Sequence, residues 1–143
     1  EFDIDDDNMY VNGDHDAIYQ IMYNICDNAI KFSYDGGCLR ISVKYAENKK
    51  VRISVFNEGE GIPLEDQPYI FERFYKSDRS RGKDKTGVGL GMFIAKTIIK
   101  AHGEDITLKS EPGKNCEFVF TLPRAQAPEK HGAQQKRTGD GNV

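Results

Sequence analysis

Residues 24–33 read Asn24-Ile25-Cys26-Asp27-Asn28-Ala29-Ile30-Lys31-Phe32-Ser33, and the fold is decided by what this stretch belongs to. Counting back from it, Ile18, Ile21, Met22, Ile25, Ala29 and Phe32 recur at the i, i+3, i+4, i+7 spacing of a helix with one buried face. The spacing predicts a helix from an Asp14 N-cap, with Asp16 in its first turn, to about Ser33. At about 100° per residue, Asn24, Asn28 and Lys31 share one flank of it, within an arc of about 60°. An amide oxygen is a hard, neutral ligand for Mg²⁺, and a lysine is a point charge for phosphate. Such a flank alone describes many solvated helices; its meaning depends on the neighbours.

Upstream, Met9-Tyr10-Val11 is a short strand candidate closed by Asn12-Gly13. Downstream, Asp35-Gly36-Gly37 breaks the helix. Leu39-Ile41-Val43-Tyr45 and Val51-Ile53-Val55 then alternate with polar residues around a Glu47–Lys50 turn, which predicts a hairpin. A glycine loop follows, then a short helix through Asp66–Phe74 and a charged, aperiodic stretch over Ser77–Gly87. A second helix runs from about Gly89 to Ala101 on Leu90, Phe93, Ile94, Thr97 and Ile98. Ile106-Leu108 and Phe118-Phe120-Leu122 form a closing hairpin around Pro112-Gly113-Lys114-Asn115. Antiparallel pairs with helices between them predict an α+β two-layer sandwich: a mixed, mostly antiparallel sheet covered by helices on one face. From Pro123 onward there is no Ile, Leu, Met or aromatic residue. Residues 1–123 are therefore expected to fold as one domain and 124–143 to form a disordered tail.

The chain has 143 residues, enough for one core. Its net charge of −3 gives no reason to expect nucleic acid as a partner, and no apolar run approaches the roughly 18 residues of a membrane span. Cys26, Cys38 and Cys116 form no CxxC pair and read as reduced thiols in a cytoplasmic domain.

Two glycine loops flank the middle of the chain. Asn57-Glu58-Gly59-Glu60-Gly61-Ile62-Pro63 leaves a buried strand and turns sharply, with glycines that permit positive φ and close approach of a planar ligand. Gly87-Val88-Gly89-Leu90-Gly91 runs directly into a helix and so offers backbone N–H groups and a positive dipole end to an anion. The chain lacks the GxxxxGK-Ser/Thr of a P-loop, and no apolar strand precedes Gly87 as a Rossmann turn requires. Between the loops, Glu72–Thr86 carries six basic residues against three acidic ones, +3 in a chain of −3. A cationic segment beside a phosphate-binding helix end reads as a lid over a polyphosphate.

These stretches, in this order, resemble the sequence boxes of sensor histidine kinases. Asn24–Ser33 is similar to the N box, Asn57–Pro63 to the first glycine box, Phe71-Glu72-Arg73-Phe74-Tyr75 to the F box, and Gly87–Gly91 with Met92–Lys96 to the second glycine box. His102-Gly103 and Cys116–Pro123 match the family's ending, so the resemblance spans roughly residues 9–123. It implies the Bergerat-type ATP fold shared with gyrase-like, chaperone and mismatch-repair ATPases. By resemblance, Asn28 is the main Mg²⁺ ligand with Asn24 beside it, Lys31 contacts phosphate and Phe32 lies against adenine. Gly59 and Gly61 shape the base pocket, on which Ile62 packs. Arg73 neutralises phosphate charge, Phe71 and Phe74 anchor the lid, and Thr86, Gly87, Val88, Gly89, Leu90 and Gly91 hold the phosphates.

One position departs from the pattern. Where the family has an aspartate that accepts from the adenine amino group, this chain has Asn57. An amide oxygen accepts without charge assistance, so adenine selectivity is expected to survive at an affinity weaker by on the order of 1 kcal/mol.

The resemblance implies ATP and Mg²⁺ as cofactors. It implies as partners a dimerisation domain bearing the phosphoacceptor histidine of the same kinase, and a response regulator. The acceptor is expected outside this chain: His15-Asp16 is followed by Ala-Ile-Tyr-Gln, which lacks the rest of the acceptor motif, His102 stands at a helix end and His131 in the tail. The domain itself is expected to make no membrane contact, with any anchor in the bacterial inner membrane lying upstream. A catalytically silent nucleotide-binding module and a serine-phosphorylating relative are the competing readings. The form of the F box disfavours the second.

Overall fold

A computed structural model describes residues 1–76 and 90–127. Residues 77–85 of the lid expected over Glu72–Thr86, the loop residues Thr86, Gly87, Val88 and Gly89, and the tail from residue 128 lie outside the described residues.

The described elements are β1 (Phe2–Ile4), β2 (Tyr10–Val11), α1 (His15–Phe32), β3 (Leu39–Ala46), β4 (Lys50–Glu58), a 3₁₀ turn (Gln67–Tyr69), α2 (Gly91–Ala101), β5 (Ile106–Glu111) and β6 (Asn115–Ala125). The start of α1 is fixed by Asp14, whose Oδ2 accepts the Ala17 N–H at 2.9 Å, as the sequence predicts. The β3–β4 hairpin turns through Asn48 and Lys49, both at positive φ (61° and 57°).

β1 runs parallel to β3, and β3–β4, β4–β6, β5–β6 and β2–β6 are antiparallel. The sheet is therefore mixed and mostly antiparallel, as expected. Because side chains alternate between faces, register alone assembles the core. One cross-strand row is Val43, Ile53, Phe120 and Ile106; the next is Ile41, Val55, Phe118 and Leu108; a third ends polar, in Leu39, Asn57, Cys116 and Ser110. Ile21, Ile25 and Ala29 of α1 and Met92, Ala95 and Ile99 of α2 join the same buried cluster. Phe118 and Phe120 are each 1% exposed, and burying such a side chain stabilises the fold by about 1.5–3 kcal/mol.

The structure departs from the sequence reading at four places. Residues Phe2–Ile4, to which the sequence analysis assigned no element, add a parallel edge strand. The helix expected through Asp66–Phe74 is a single 3₁₀ turn with Pro68 near its start, followed by turns and Phe74 at φ 63°. The second helix buries Met92, Ala95 and Ile99, whereas Thr97 of the expected stripe is exposed and its Oγ1 donates to the Phe93 carbonyl at 2.8 Å. Met92, Phe93, Ile94, Ala95, Ile98 and Ile99 leave this helix apolar nearly all round, so periodicity could not choose its inner face and packing did. Finally, β6 continues through Arg124 and Ala125, paired with β2, past the expected boundary at 123.

Candidate functional site

α1 carries Asn24, Asn28 and Lys31 on the flank beside α2. Asn24 Oδ1 accepts from Gln20 Nε2 at 3.2 Å, one turn back, while its Nδ2 is buried with no hydrogen-bond partner among the described residues. Gly91, the first residue of α2, faces this side chain: a Cβ there would stand 3.8 Å from Asn24 Oδ1. The asparagine flank and the end of the second glycine loop are thus brought together, although more than sixty residues of chain separate them. The Leu90 carbonyl accepts the Ile94 N–H at 2.8 Å, so the N–H groups of Gly91, Met92 and Phe93 precede the first intrahelical bond of α2. No side chain caps this terminus. Lys31 Nζ lies 3.0 Å from Asp27 Oδ2, one turn earlier on the helix.

The first glycine loop is held from two sides. Gly59 donates its N–H to the Lys114 carbonyl at 3.0 Å and bridges to Ser33 at the end of α1. Gly61 sits at φ 64°, where a Cβ would stand 2.7 Å from the Glu111 carbonyl oxygen and 2.8 Å from that of Asn115. Ile62 donates its N–H to Ser110 Oγ at 2.8 Å, and that hydroxyl donates to the Asn115 carbonyl at 2.8 Å. Both glycines are therefore demanded by close packing against α1 and the β5–β6 turn. Asn57, which they flank, is 2% exposed, and its Nδ2 has no partner among the described residues. Its row neighbour Cys116 lies in dry surroundings: burial pushes the thiol up to about 12.

The F-box residues separate. Phe71 packs edge-on against Phe118, with ring centroids 5.9 Å apart, and Lys96 Nζ lies 4.9 Å from the centre of its other contact face. Arg73 stacks its guanidinium 4.7 Å over the Phe93 ring in the first turn of α2, which places a cation beside that helix start. Phe74, expected beside Phe71 as an anchor, is instead 64% exposed. The Tyr75 hydroxyl donates to Asp66 and ties the segment down.

Ser110 and Gln67 escaped the sequence reading. Gln67 Nε2 donates to the Ile62 carbonyl at 2.9 Å, and Ser110 bridges loop and hairpin. Ser110 was legible as the polar residue in the inward phase of Ile106, Leu108 and Ser110; Gln67 had no signal. Among the described residues, no three His, Cys, Asp or Glu side chains are placed to hold a metal. The neutral amides of Asn24 and Asn28 suit a divalent cation that arrives with its own anionic ligands, as on a polyphosphate.

A family model described as histidine kinase-, DNA gyrase B-, and HSP90-like ATPase matches residues 13–126. The chain belongs to this family. Within it, sensor histidine kinase WalK of Bacillus subtilis (strain 168) is 42% identical over 125 residues, covering 87% of this chain and 20% of WalK. The adaptive-response sensory kinase SasA of Crocosphaera subtropica (strain ATCC 51142 / BH68) is 39% identical over 121 residues, covering 85% of this chain and 31% of SasA. Among solved structures, the catalytic domain of histidine kinase ThkA superposes with a TM-score of 0.73 at 30% identity, covering 87% of this chain and 79% of that one. Full-length ShkA in complex with AMPPNP gives 0.74 at 26% identity, covering 90% of this chain and 26% of ShkA. This histidine-kinase-like ATPase domain thus spans under a third of those curated relatives and most of the ThkA catalytic domain. The α+β sandwich and the resemblance to the sensor-kinase ATP domain both hold.

Proposed function

We propose that this chain is the ATP·Mg²⁺-holding catalytic domain of a two-component sensor histidine kinase. The observation that carries the reading is the meeting of Gly91 with Asn24, which sets the uncapped start of α2 beside the buried amide of the N-box flank. Phosphoryl transfer needs a positioned donor, charge neutralisation and an acceptor, and almost no covalent help from the protein. ATP supplies the phosphoryl group. Asn28 and Asn24 offer neutral oxygens to Mg²⁺, Lys31 and Arg73 offer charge to phosphates, and the start of α2 offers N–H donors and its dipole. Asn57, Phe32 and Ile62 hold the base, with Gly59 and Gly61 fixing the loop that carries them. The segment from Phe71 through the second glycine loop closes over the phosphates.

Neither described histidine suits the acceptor role. His15 is exposed in the first turn of α1, and His102 Nδ1 stands 2.8 Å from the Ile98 carbonyl at the end of α2. The γ-phosphoryl group therefore goes to a histidine on the dimerisation domain of the same kinase and onward to a response-regulator aspartate. ThkA has been solved in complex with the response regulator protein TrrA, which supports that partner class here. Among the described residues no helix is long and apolar enough to cross a membrane.

The test is calorimetric titration with Mg·ATP, followed by trans-phosphorylation of the parent's dimerisation domain. Micromolar binding with an acid-labile phosphohistidine is expected. Binding without transfer would make this a silent nucleotide module, and absence of binding would remove the reading.

A further inference from the structure

Asn57 is the least exposed polar side chain at the candidate site. It lies within the row Leu39, Asn57, Cys116, Ser110 on the helix-covered face of the sheet, 2% exposed, with Nδ2 unpartnered among the described residues. A buried donor left without an acceptor costs about 1–3 kcal/mol, which a ligand that brings an acceptor recovers. Only a glycine at position 59 fits against this end of the amide: a Cβ there would stand 2.8 Å from Asn57 Nδ2. The neighbouring carboxylate offers no substitute, because Glu58 Oε2 accepts the Cys38 N–H at 3.3 Å and that side chain belongs to the opposite face of the strand.

Resting on the nucleotide reading above, and against the adenine selectivity expected from the sequence, we propose that Asn57 makes this pocket accept 6-oxopurine nucleoside triphosphates as well as 6-aminopurine ones. A carboxylate at this position has only acceptors, so it takes the 6-amino group of adenine and repels the O6 of a 6-oxopurine. An amide carries one donor and one acceptor. With Nδ2 turned to the base, the amide donates to O6. A half-turn about the last side-chain bond presents Oδ1 to an amino group, and that turn breaks no bond at Nδ2. Both base types then satisfy the buried amide, so the rejection of about 10⁴-fold that follows from leaving one polar group unpaired does not arise.

Inosine triphosphate isolates this contact, because it differs from ATP at position 6 and in the N1 proton and lacks the 2-amino group of guanine. Dissociation constants for Mg·ATP, Mg·ITP and Mg·GTP are measured by competition against a fluorescent ATP analogue, for wild type and Asn57→Asp. In wild type, Mg·ITP is expected within about thirtyfold of Mg·ATP, and Asn57→Asp is expected to widen that ratio by at least about tenfold. A wild-type preference for Mg·ATP beyond thirtyfold, or an unchanged ratio in folded Asn57→Asp, would overturn the proposal while leaving the nucleotide site intact. Failure of wild type to bind Mg·ATP at all would instead overturn the underlying reading. Should the melting curve show Asn57→Asp unfolded, the wild-type ratio decides alone.

Discussion

Gly59 passes directly against the last residue of α1, where any Cβ on it would overlap the carbonyl oxygen of Phe32. That contact joins the end of the asparagine helix to the first glycine loop, and the neighbouring Tyr34 N–H donates to the Glu58 carbonyl at 3.0 Å to close the corner. Gly59→Ala is expected to lower stability by about 3 kcal/mol, because the nearest obstacle is the Phe32 backbone, which cannot swing aside. Urea unfolding measures it; a change below about 1 kcal/mol would show that the corner relaxes freely.

Gly91 makes the contrasting case. A Cβ there meets Asn24 Oδ1 only at 3.8 Å, an ordinary contact distance. Gly91→Ala should leave the melting temperature within a few degrees of wild type yet weaken Mg·ATP, since the methyl group narrows the approach to the α2 N-terminus. Equal affinity in both proteins would count against this helix start as the phosphate site.

The N-cap of α1 acts through one hydrogen bond, from the Ala17 N–H to Asp14 Oδ2 at 2.9 Å. Asp14→Ala should cost about 1 kcal/mol and Asp14→Ser only a fraction of that. Chemical denaturation of the pair separates capping from general surface charge.

Glu104 gives the fold a pH dependence. Burial works to raise its carboxyl, but hydrogen bonds from Lys50 Nζ (2.8 Å) and Thr121 Oγ1 (2.6 Å) outweigh this and hold it below its usual range. With the folded-state value depressed, the stabilisation is complete above the unfolded carboxyl's value. It is lost as the pH falls through the folded one. Glu104→Gln should therefore melt lower than wild type near neutrality and show a shallower fall in melting temperature on acidification. Parallel acid limbs in the two proteins would assign the pH dependence elsewhere.

Cysteine labelling reads the dryness of the Asn57 row. With its thiol pushed up to about 12 by burial, Cys116 should resist alkylation at pH 8 in the native protein. Cys38, which is half-buried, should react first, and Cys116 only on unfolding. Rapid native modification of Cys116, followed by mass spectrometry, would show that water reaches the polar end of the core.

Much of the architecture was legible because it is local. The helix from Asp14 follows from a cap and a 3.6-residue period, and the β3–β4 hairpin from alternation around a short turn. The second helix was located but its inner face was not, since Met92 through Ile99 is apolar on nearly every side. Phe74, expected by resemblance to anchor the lid with Phe71, instead stands where the backbone turns to φ 63° and leaves its ring in solvent. β1 was missed because Phe2-Asp3-Ile4 is too short a run to signal a strand until β3 is beside it to pair with.

The sequence by itself determined the α+β class, the cap and span of α1, the alignment of Asn24, Asn28 and Lys31, and the order of the glycine loops around a cationic stretch. Those properties repeat over a few residues and need no partner. Only the tertiary structure decided that Gly91 stands against Asn24, that Arg73 lies over Phe93, and that Asn57 is buried beside Cys116 with its Nδ2 unpartnered among the described residues. Each depends on strands and helices far apart in the chain closing on one core. The polarity of a buried amide is set by those neighbours, which no local pattern encodes.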